Sequence, residues 1–409
     1  MIFYRTLMMN NAKTALLALV SAVGIVCGCK QSSDMHWVAT WATAEQIAEP
    51  HNCPPEPFLA GNSFRQIVQI SIPGSEARIR LSNEFGQEPV EIVAAEVALA
   101  ASSGDSSDLI DDTTRSLSFA GAASVTIAPG EYVTSDSFKL DMGRRANVAV
   151  TLHFGSISST VVTSHPGSRT TSYLASGNTC DFSDAVTTAH WYIINDIEVL
   201  APAQAAAIVV LGDSITDGRG TTTNGQDRWT DILSRKLLTD ENTRWLSVLN
   251  MGLGGNCILR GGLGPTGQSR YERDIFGQEG VKYAILFEGV NDLGGSADAL
   301  ETADAIIEVY KRIIDEAHAR GIKVIGATVT PFGGSFYDNG NHLEGWAHLN
   351  EWIRGYEGFD GIIDHAAVMA SPDDSTRMNT GFLFEDDHLH FNAAGYRLMG
   401  ESVDTGLFK

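Results

Sequence analysis

Basic residues are scarce in this chain. Its 409 residues carry 28 Lys and Arg against 50 Asp and Glu, a formal net charge of −22. Such a surface repels polyanions, so nucleic acid and anionic membrane surfaces are poor partners. A solvated acidic face accounts for the imbalance by itself; it also suits a neutral substrate such as a glycan. Long apolar runs are missing as well. Beyond residue 29 no stretch approaches the roughly 20 apolar residues that cross a bilayer. No tandem repeat is visible. Cysteine is rare, with five in the whole chain. What remains is an ordinary globular composition, 43% hydrophobic and 19% charged, long enough for two or three domains.

Residues 1–29 have the form of a targeting segment. Arg5 and Lys13 supply its basic end, and 15–26 is apolar but too short to span a bilayer. The run closes on Val26-Cys27-Gly28-Cys29, which resembles a bacterial lipobox with Cys29 as the lipidated residue. Residues 30–36 then read as a polar tether. The expected location is the cell envelope, held by a lipid; free secretion after ordinary cleavage is the alternative. Export permits disulfides. Cys53 and Cys180 both lie in polar, turn-rich sequence and form the candidate pair, with an unpaired thiol as the plainer alternative for each. For Cys257 the unpaired thiol is preferred.

Residues 37–200 read as β-structure. Short runs rich in Val, Ile and Thr cover 64–72, 77–82, 90–99, 116–119, 125–128, 147–154 and 191–200. Turn signals such as Pro73-Gly74, Pro129-Gly130 and Pro166-Gly167 separate them. No helical period of useful length appears, so the expectation is an all-β, jelly-roll-like sandwich. Residues 201–207 are small and read as a linker.

The rhythm changes at 208. Apolar strand runs at 208–211, 245–250, 283–287, 323–328 and 361–364 alternate with amphipathic stretches at 229–238, 269–279, 299–320, 344–356 and 393–403. In the longest, Ala303, Ile306, Ile307, Tyr310, Ile313 and Ile314 share one helical face. Alternating β and α predicts a parallel sheet covered on both sides, with ligands bound outside the carboxyl ends of the strands.

Polar or Gly-rich segments fall at those ends. The first strand runs into Gly212-Asp213-Ser214, the second into Asn250-Met251-Gly252-Leu253-Gly254-Gly255-Asn256, and the third into Glu288-Gly289-Val290-Asn291-Asp292. The last helix follows Asp386-Asp387-His388-Leu389-His390. Each segment has a bland explanation: Ser214 or Asp213 as a helix cap, the glycines as a tight turn, Asn291 and Asp292 as caps, His390 as a surface histidine. All four bland explanations must hold together at one edge of one sheet, which favours chemistry. A serine hydroxyl is a weak nucleophile until a base takes its proton, and His390 can be that base. Asp387, three residues earlier, can hold the imidazole tautomer. The Ser214 N–H, the Gly255 N–H and the Asn291 amide can surround a developing oxyanion. Carboxylates at 288, 292 and 386 lack a histidine at ligand spacing, so neither metal nor cofactor is expected there. Trp37, Trp41 and Trp191 are candidate sugar-stacking residues, with core packing the plainer alternative.

This set resembles the GDSL esterases of the SGNH hydrolase superfamily. The four name residues correspond to Ser214, Gly255, Asn291 and His390, and Asp387 matches the family's acid. Ile215 stands for the eponymous Leu, and Phe391 stands where many members have Pro. Position 216 is Thr, so this is not the Gly-x-Ser-x-Gly elbow of the α/β-hydrolases. The segments Trp37-Val38-Ala39-Thr40-Trp41 and Arg78-Ile79-Arg80-Leu81-Ser82-Asn83-Glu84-Phe85-Gly86 are similar to those of exported bacterial members with an N-terminal β-domain. The resemblance implies a flavodoxin-like three-layer α/β/α hydrolase domain over 208–409, needing no cofactor. It implies a serine esterase, with O-acetyl groups on carbohydrate as the substrate suggested by some relatives. Two rivals stand beside it: a short-chain lipid or aryl esterase, and a surface glycan-binding lipoprotein whose hydrolase domain is vestigial.

Overall fold

The computed structural model describes residues 34–409; the expected targeting segment, Cys29 and most of the expected tether lie outside that range. Met35–Lys409 form one compact unit.

The strand Ala206–Gly212 is the centre of a five-stranded parallel sheet. Its residues are buried throughout, as its unbroken apolar sequence requires for a strand covered on both faces. It pairs with Leu246–Gly252 on one side and Val281–Phe287 on the other; Lys323–Ala327 and Gly361–Ile363 complete the sheet. The sheet order in chain sequence is therefore 2-1-3-4-5, the flavodoxin-like order. Chain connections leave the first strand in opposite directions, which opens a crevice at its carboxyl end. Ser214 lies two residues beyond that end.

The helices follow the expected apolar faces. Ala299–Ala319 begins on Asp298, whose side chain accepts from the Leu300 and Glu301 N–H groups. All six residues assigned to its inner face are buried. The stretch 269–279 departs from expectation: a short helix, Gly267–Tyr271, runs straight into a π-helical turn, Glu272–Phe276. That turn keeps both Arg270 and Asp274 pointing inward, where they form an ion pair.

Three antiparallel sheets make up the first half, the smallest of them pairing Thr163–His165 with Trp191–Tyr192 and Gln46–Ile47. Of the other two, one runs Met35–Ala42, Ile194–Pro202, Gly74–Ser82 and Tyr132–Thr134; the other is built around Ser63–Gln69, Asn147–Phe154 and Val90–Leu99. Expectation fails at 201–207. Ala201 and Pro202 end one strand, Ala206 and Ala207 begin the central parallel strand, and a tight turn joins them. Small side chains made this stretch look like a linker, but they are small because Ala205, Ala206 and Ala207 are buried. One hydrophobic core runs through both halves. The Ser247 hydroxyl donates to Ala39 O and the Ala39 N–H to Glu279 O, so the strand Met35–Ala42 is bonded directly to the parallel-sheet half.

The disulfide expected between Cys53 and Cys180 is not formed. The Cys53 thiol faces Thr160 O, and the Cys180 thiol faces Glu96 Oε2. Polar surroundings put both near the surface, on different segments. The tryptophans are not a platform either. Trp41 and Trp191 are 8% and 5% exposed and pack edge to face at 5.0 Å, with the Trp191 indole donating to Ile67 O. Trp37 is half-buried under the Arg78 guanidinium. Among the described residues no helix is long and apolar enough to cross a membrane.

Candidate active site

Asp213, not Ser214, caps the short helix Ser214–Asp217: its carboxylate accepts the Ile215 N–H. Gly218, at φ 98°, closes the helix after one turn. Ser214 is thereby left at the first helical position with its hydroxyl uncommitted to the backbone. A side chain at Gly252 would collide with the Asp217 amide nitrogen at 2.3 Å, so the second strand end must be bare for this turn to sit against it.

The Ser214 hydroxyl instead lies 2.8 Å from His390 Nε2. The ring's other nitrogen, Nδ1, is 2.6 Å from Asp387 Oδ2. An ionised carboxylate only accepts, so Nδ1 carries the proton and Nε2 presents its lone pair to the serine. Asp387 Oδ1 accepts the Leu389 and His390 N–H groups. Burial alone would raise the Asp387 pKa. The bonds from the His390 ring and the two amides outweigh it and hold the carboxyl below its ordinary range. Glu385, Asp386 and His388 all have φ between 53° and 54°, so this acid loop is wound through left-handed backbone immediately before the histidine.

Three donors face the serine's edge of the sheet. Gly255 adopts φ 65°, and an added Cβ would press on the Leu263 side chain at 3.2 Å; both favour glycine. No hydrogen bond among the described residues consumes the Ser214 or Gly255 N–H. Asn291 Nδ2 donates to Asn256 O at 2.8 Å, while its Oδ1 is 2.9 Å from the Tyr337 hydroxyl. A carbonyl cannot donate, so the amide orientation is set, and its second N–H remains for a ligand. Asp292 braces the same loop by accepting the Ile258 and Leu259 N–H groups, with burial pushing its pKa up to about 6.

Every catalytic candidate read from the sequence is therefore on one edge. Three supporting elements were not legible there. Arg270 is fully buried and donates to Gly212 O, Met251 O, Asn256 Oδ1, Asp274 and Glu288. It ties together the ends of all three strands that carry the site. An arginine within a short helical run gives no local signal of this. Tyr337, on a loop with no motif, holds Asn291. His165, from the antiparallel half, meets Asp217 Oδ1 at 3.0 Å through Nε2 and Ala44 O at 2.9 Å through Nδ1. Both ring nitrogens are thus engaged, which fixes the imidazole against the helix that carries Ser214. Asp217 is held below the ordinary carboxylate range; burial opposes this, and the His165 bond and charge, with Arg169 and Arg228, overcome it.

A cavity of about 840 Å³ opens beside Asn291. Arg260, Gln268, Ser296, Asp298, Glu301 and Thr302 line it. Phe336 is 71% exposed and packs on Tyr337 with ring centroids 4.3 Å apart.

A parallel 2-1-3-4-5 sheet with a serine at its switch point, backed by histidine and aspartate, defines a hydrolase-type α/β domain. Residues 210–398 match the model of the GDSL-like Lipase/Acylhydrolase family, and this part of the chain is a domain of that family. No curated protein matches the chain. Similar solved structures include the lipase/acylhydrolase from Enterococcus faecalis, 21% identical, covering 48% of this chain and 92% of that one, with a TM-score of 0.38. The acetyl xylan esterase AlAXEase is 20% identical, with coverage of 48% and 96% and a TM-score of 0.36. Est24, a carbohydrate acetylesterase from Sinorhizobium meliloti, is 16% identical, with coverage of 48% and 95% and a TM-score of 0.37.

Proposed function

We propose that the protein is a serine esterase that removes short acyl groups, O-acetyl above all, from carbohydrate. The observation that carries the reading is the hydrogen-bonded chain Ser214–His390–Asp387, in the one tautomer that can accept the serine proton. Ser214 Oγ attacks the ester carbonyl carbon as His390 Nε2 takes its proton. The carbonyl oxygen becomes an oxyanion within reach of the Ser214 N–H, the Gly255 N–H and the free Asn291 N–H. Collapse breaks the bond to the sugar oxygen, which leaves with the proton from His390. Water then attacks the acyl-serine with His390 again as base, releasing the carboxylic acid and restoring Ser214.

The substrate class rests on the walls of the cleft. Hydroxyl, amide and charged groups around the cavity can bond sugar hydroxyls but would desolvate poorly against a long alkyl chain. Asp298 and Glu301 disfavour an anionic glycan. Phe336 offers an exposed face for a pyranose ring. The signal and lipobox sequence of residues 1–29 supports attachment to the cell envelope, where such a polymer would be met.

The test is release of acetate from a panel of acetylated polysaccharides, alongside an acyl series from C2 to C12. Acetate release with a preference for C2, abolished in Ser214→Ala, supports the reading. Preference for long chains moves the protein to the lipid esterases. Glycan binding without any ester cleavage would make it a binding lipoprotein.

A further inference from the structure

We propose that Glu96, His153 and Cys180 form a binding site for a divalent transition metal of the Zn²⁺ type, in the antiparallel half and sharing no residue with the Ser214 site. Glu96 and His153 stand on neighbouring strands, Val90–Leu99 and Asn147–Phe154. The register pairs Glu96 with Thr151, two residues from His153, so both side chains rise from one face. Cys180 follows the strand Ser172–Ala175, and its thiol comes down to 3.4 Å from Glu96 Oε2. One coordinating atom from each residue lies within 4.8 Å of the other two. In a tetrahedral site with bonds of 2.0–2.3 Å such atoms would be about 3.6 Å apart. Rotation of the exposed Cys180 and the half-exposed Glu96 covers the difference.

A second observation concerns the imidazole. His153 Nδ1 is 2.7 Å from Ser63 Oγ. That hydroxyl has one proton, and Gly177 O, at 2.8 Å, can only accept it. The Thr179 N–H also points at the Ser63 oxygen. Ser63 must then accept from His153, so Nδ1 carries the hydrogen and the lone pair is on Nε2. A carboxylate-, carbonyl- or hydroxyl-bonded N–H on the far side of a ligating histidine is the arrangement that orients imidazoles toward metals. Carboxylate, imidazole and thiol together suit Zn²⁺ and leave a fourth position for water.

The main opposing group is Arg65, on the same face, where its Nε donates to Thr151 Oγ1. Its guanidinium is already engaged with Ser107 O and stacked at 4.1 Å on Phe182. Two anionic ligands, Glu96 and the Cys180 thiolate, outweigh its single charge. Binding exchanges the thiol proton, released to solvent, for an S–metal bond. The metal would pin the loop carrying Cys180 onto the sheet.

The experiment uses the whole protein, reduced and stripped with chelator, then titrated with Co²⁺ and back-titrated with Zn²⁺. The expected result is a thiolate-to-cobalt charge-transfer band saturating at one equivalent, displaced by Zn²⁺, with a rise in Tm on Zn²⁺ addition. Cys180→Ser, a substitution in an exposed loop, should abolish the band and the Tm rise. Glu96→Gln should weaken Zn²⁺ binding by about 10–100-fold. Absence of the band in the wild type, or a Cys180→Ser variant that binds and is stabilised as the wild type is, overturns the site.

Discussion

Replacing Arg270 by Met should be among the most damaging single changes in the hydrolase half. Arg270 is 0% exposed, and its partner Glu288, at 2.6 Å, is equally buried. Methionine fills much of the volume but leaves Glu288 without its cation. Glu288 Oε2 already lacks a partner among the described residues. Asp274 fares better, because Arg273 also reaches it at 2.7 Å. Breaking one side of a buried pair costs about 3–5 kcal/mol, a large share of the roughly 5–15 kcal/mol that holds a domain folded. Urea unfolding at pH 8 should show that loss. Burial pushes the Glu288 pKa up even with Arg270 beside it, and losing the cation pushes it further. The Glu288 pKa is already about 8 with Arg270 present, so the penalty should hold between pH 5 and pH 8 and widen above about pH 8, where only the wild-type carboxyl ionises in the fold. Activity should fall as well, since Arg270 holds Gly212 O just before the nucleophile and Asn256, whose carbonyl orients the Asn291 amide; small misplacements of such groups cost up to about 100-fold. A loss below about 1 kcal/mol at pH 8 with normal kcat would refute the reasoning.

Other consequences can be checked directly. Asn291→Ala should lower kcat on p-nitrophenyl acetate by about 10²–10³, with the fold unchanged by circular dichroism. Asp387→Asn should cost about 10⁴ in kcat, because an amide lets the ring settle in the wrong tautomer. His165→Ala should cost kcat more than KM and lower stability in urea, since Asp217 would keep only its arginine neighbours. Phe336→Ala should raise KM for acetylated polysaccharide and leave p-nitrophenyl acetate unaffected. Burial raises Glu45 to about 8 and Asp213 to about 7. Folding therefore takes up protons between about pH 4 and pH 8, so stability should fall as pH climbs through that window, by up to about 1.4 kcal/mol per pH unit for each acid, and Tm should fall with it. A Tm rising steadily from pH 5 to pH 8 would contradict those assignments.

Much of the hydrolase half was legible because its signals are local. A strand buried on both faces must be apolar throughout, and Ala206–Gly212 is. A helix with one buried face must repeat every 3.6 residues, and Ala299–Ala319 does. Strand-end rules then place Ser214, Gly255, Asn291 and His390 on one edge without any coordinates. The antiparallel half was legible as β-structure, but not its fusion to the hydrolase: a run of alanines looks alike whether it is a solvated linker or a packed strand.

Sequence alone determined which residues could do acyl chemistry, since a nucleophile, a base and donors are marked by residue type and by position after each strand. Only the tertiary structure decided that His390 meets the Ser214 hydroxyl, that Arg270 clasps three strand ends, that His165 braces the Ser214 helix from the other half, and that Cys53 and Cys180 stay apart. The contacts of Ser214 with His390, Arg270 with Gly212 and His165 with Asp217 join residues 176, 58 and 52 positions apart, and no periodicity or spacing encodes a meeting of two groups that the fold alone brings together.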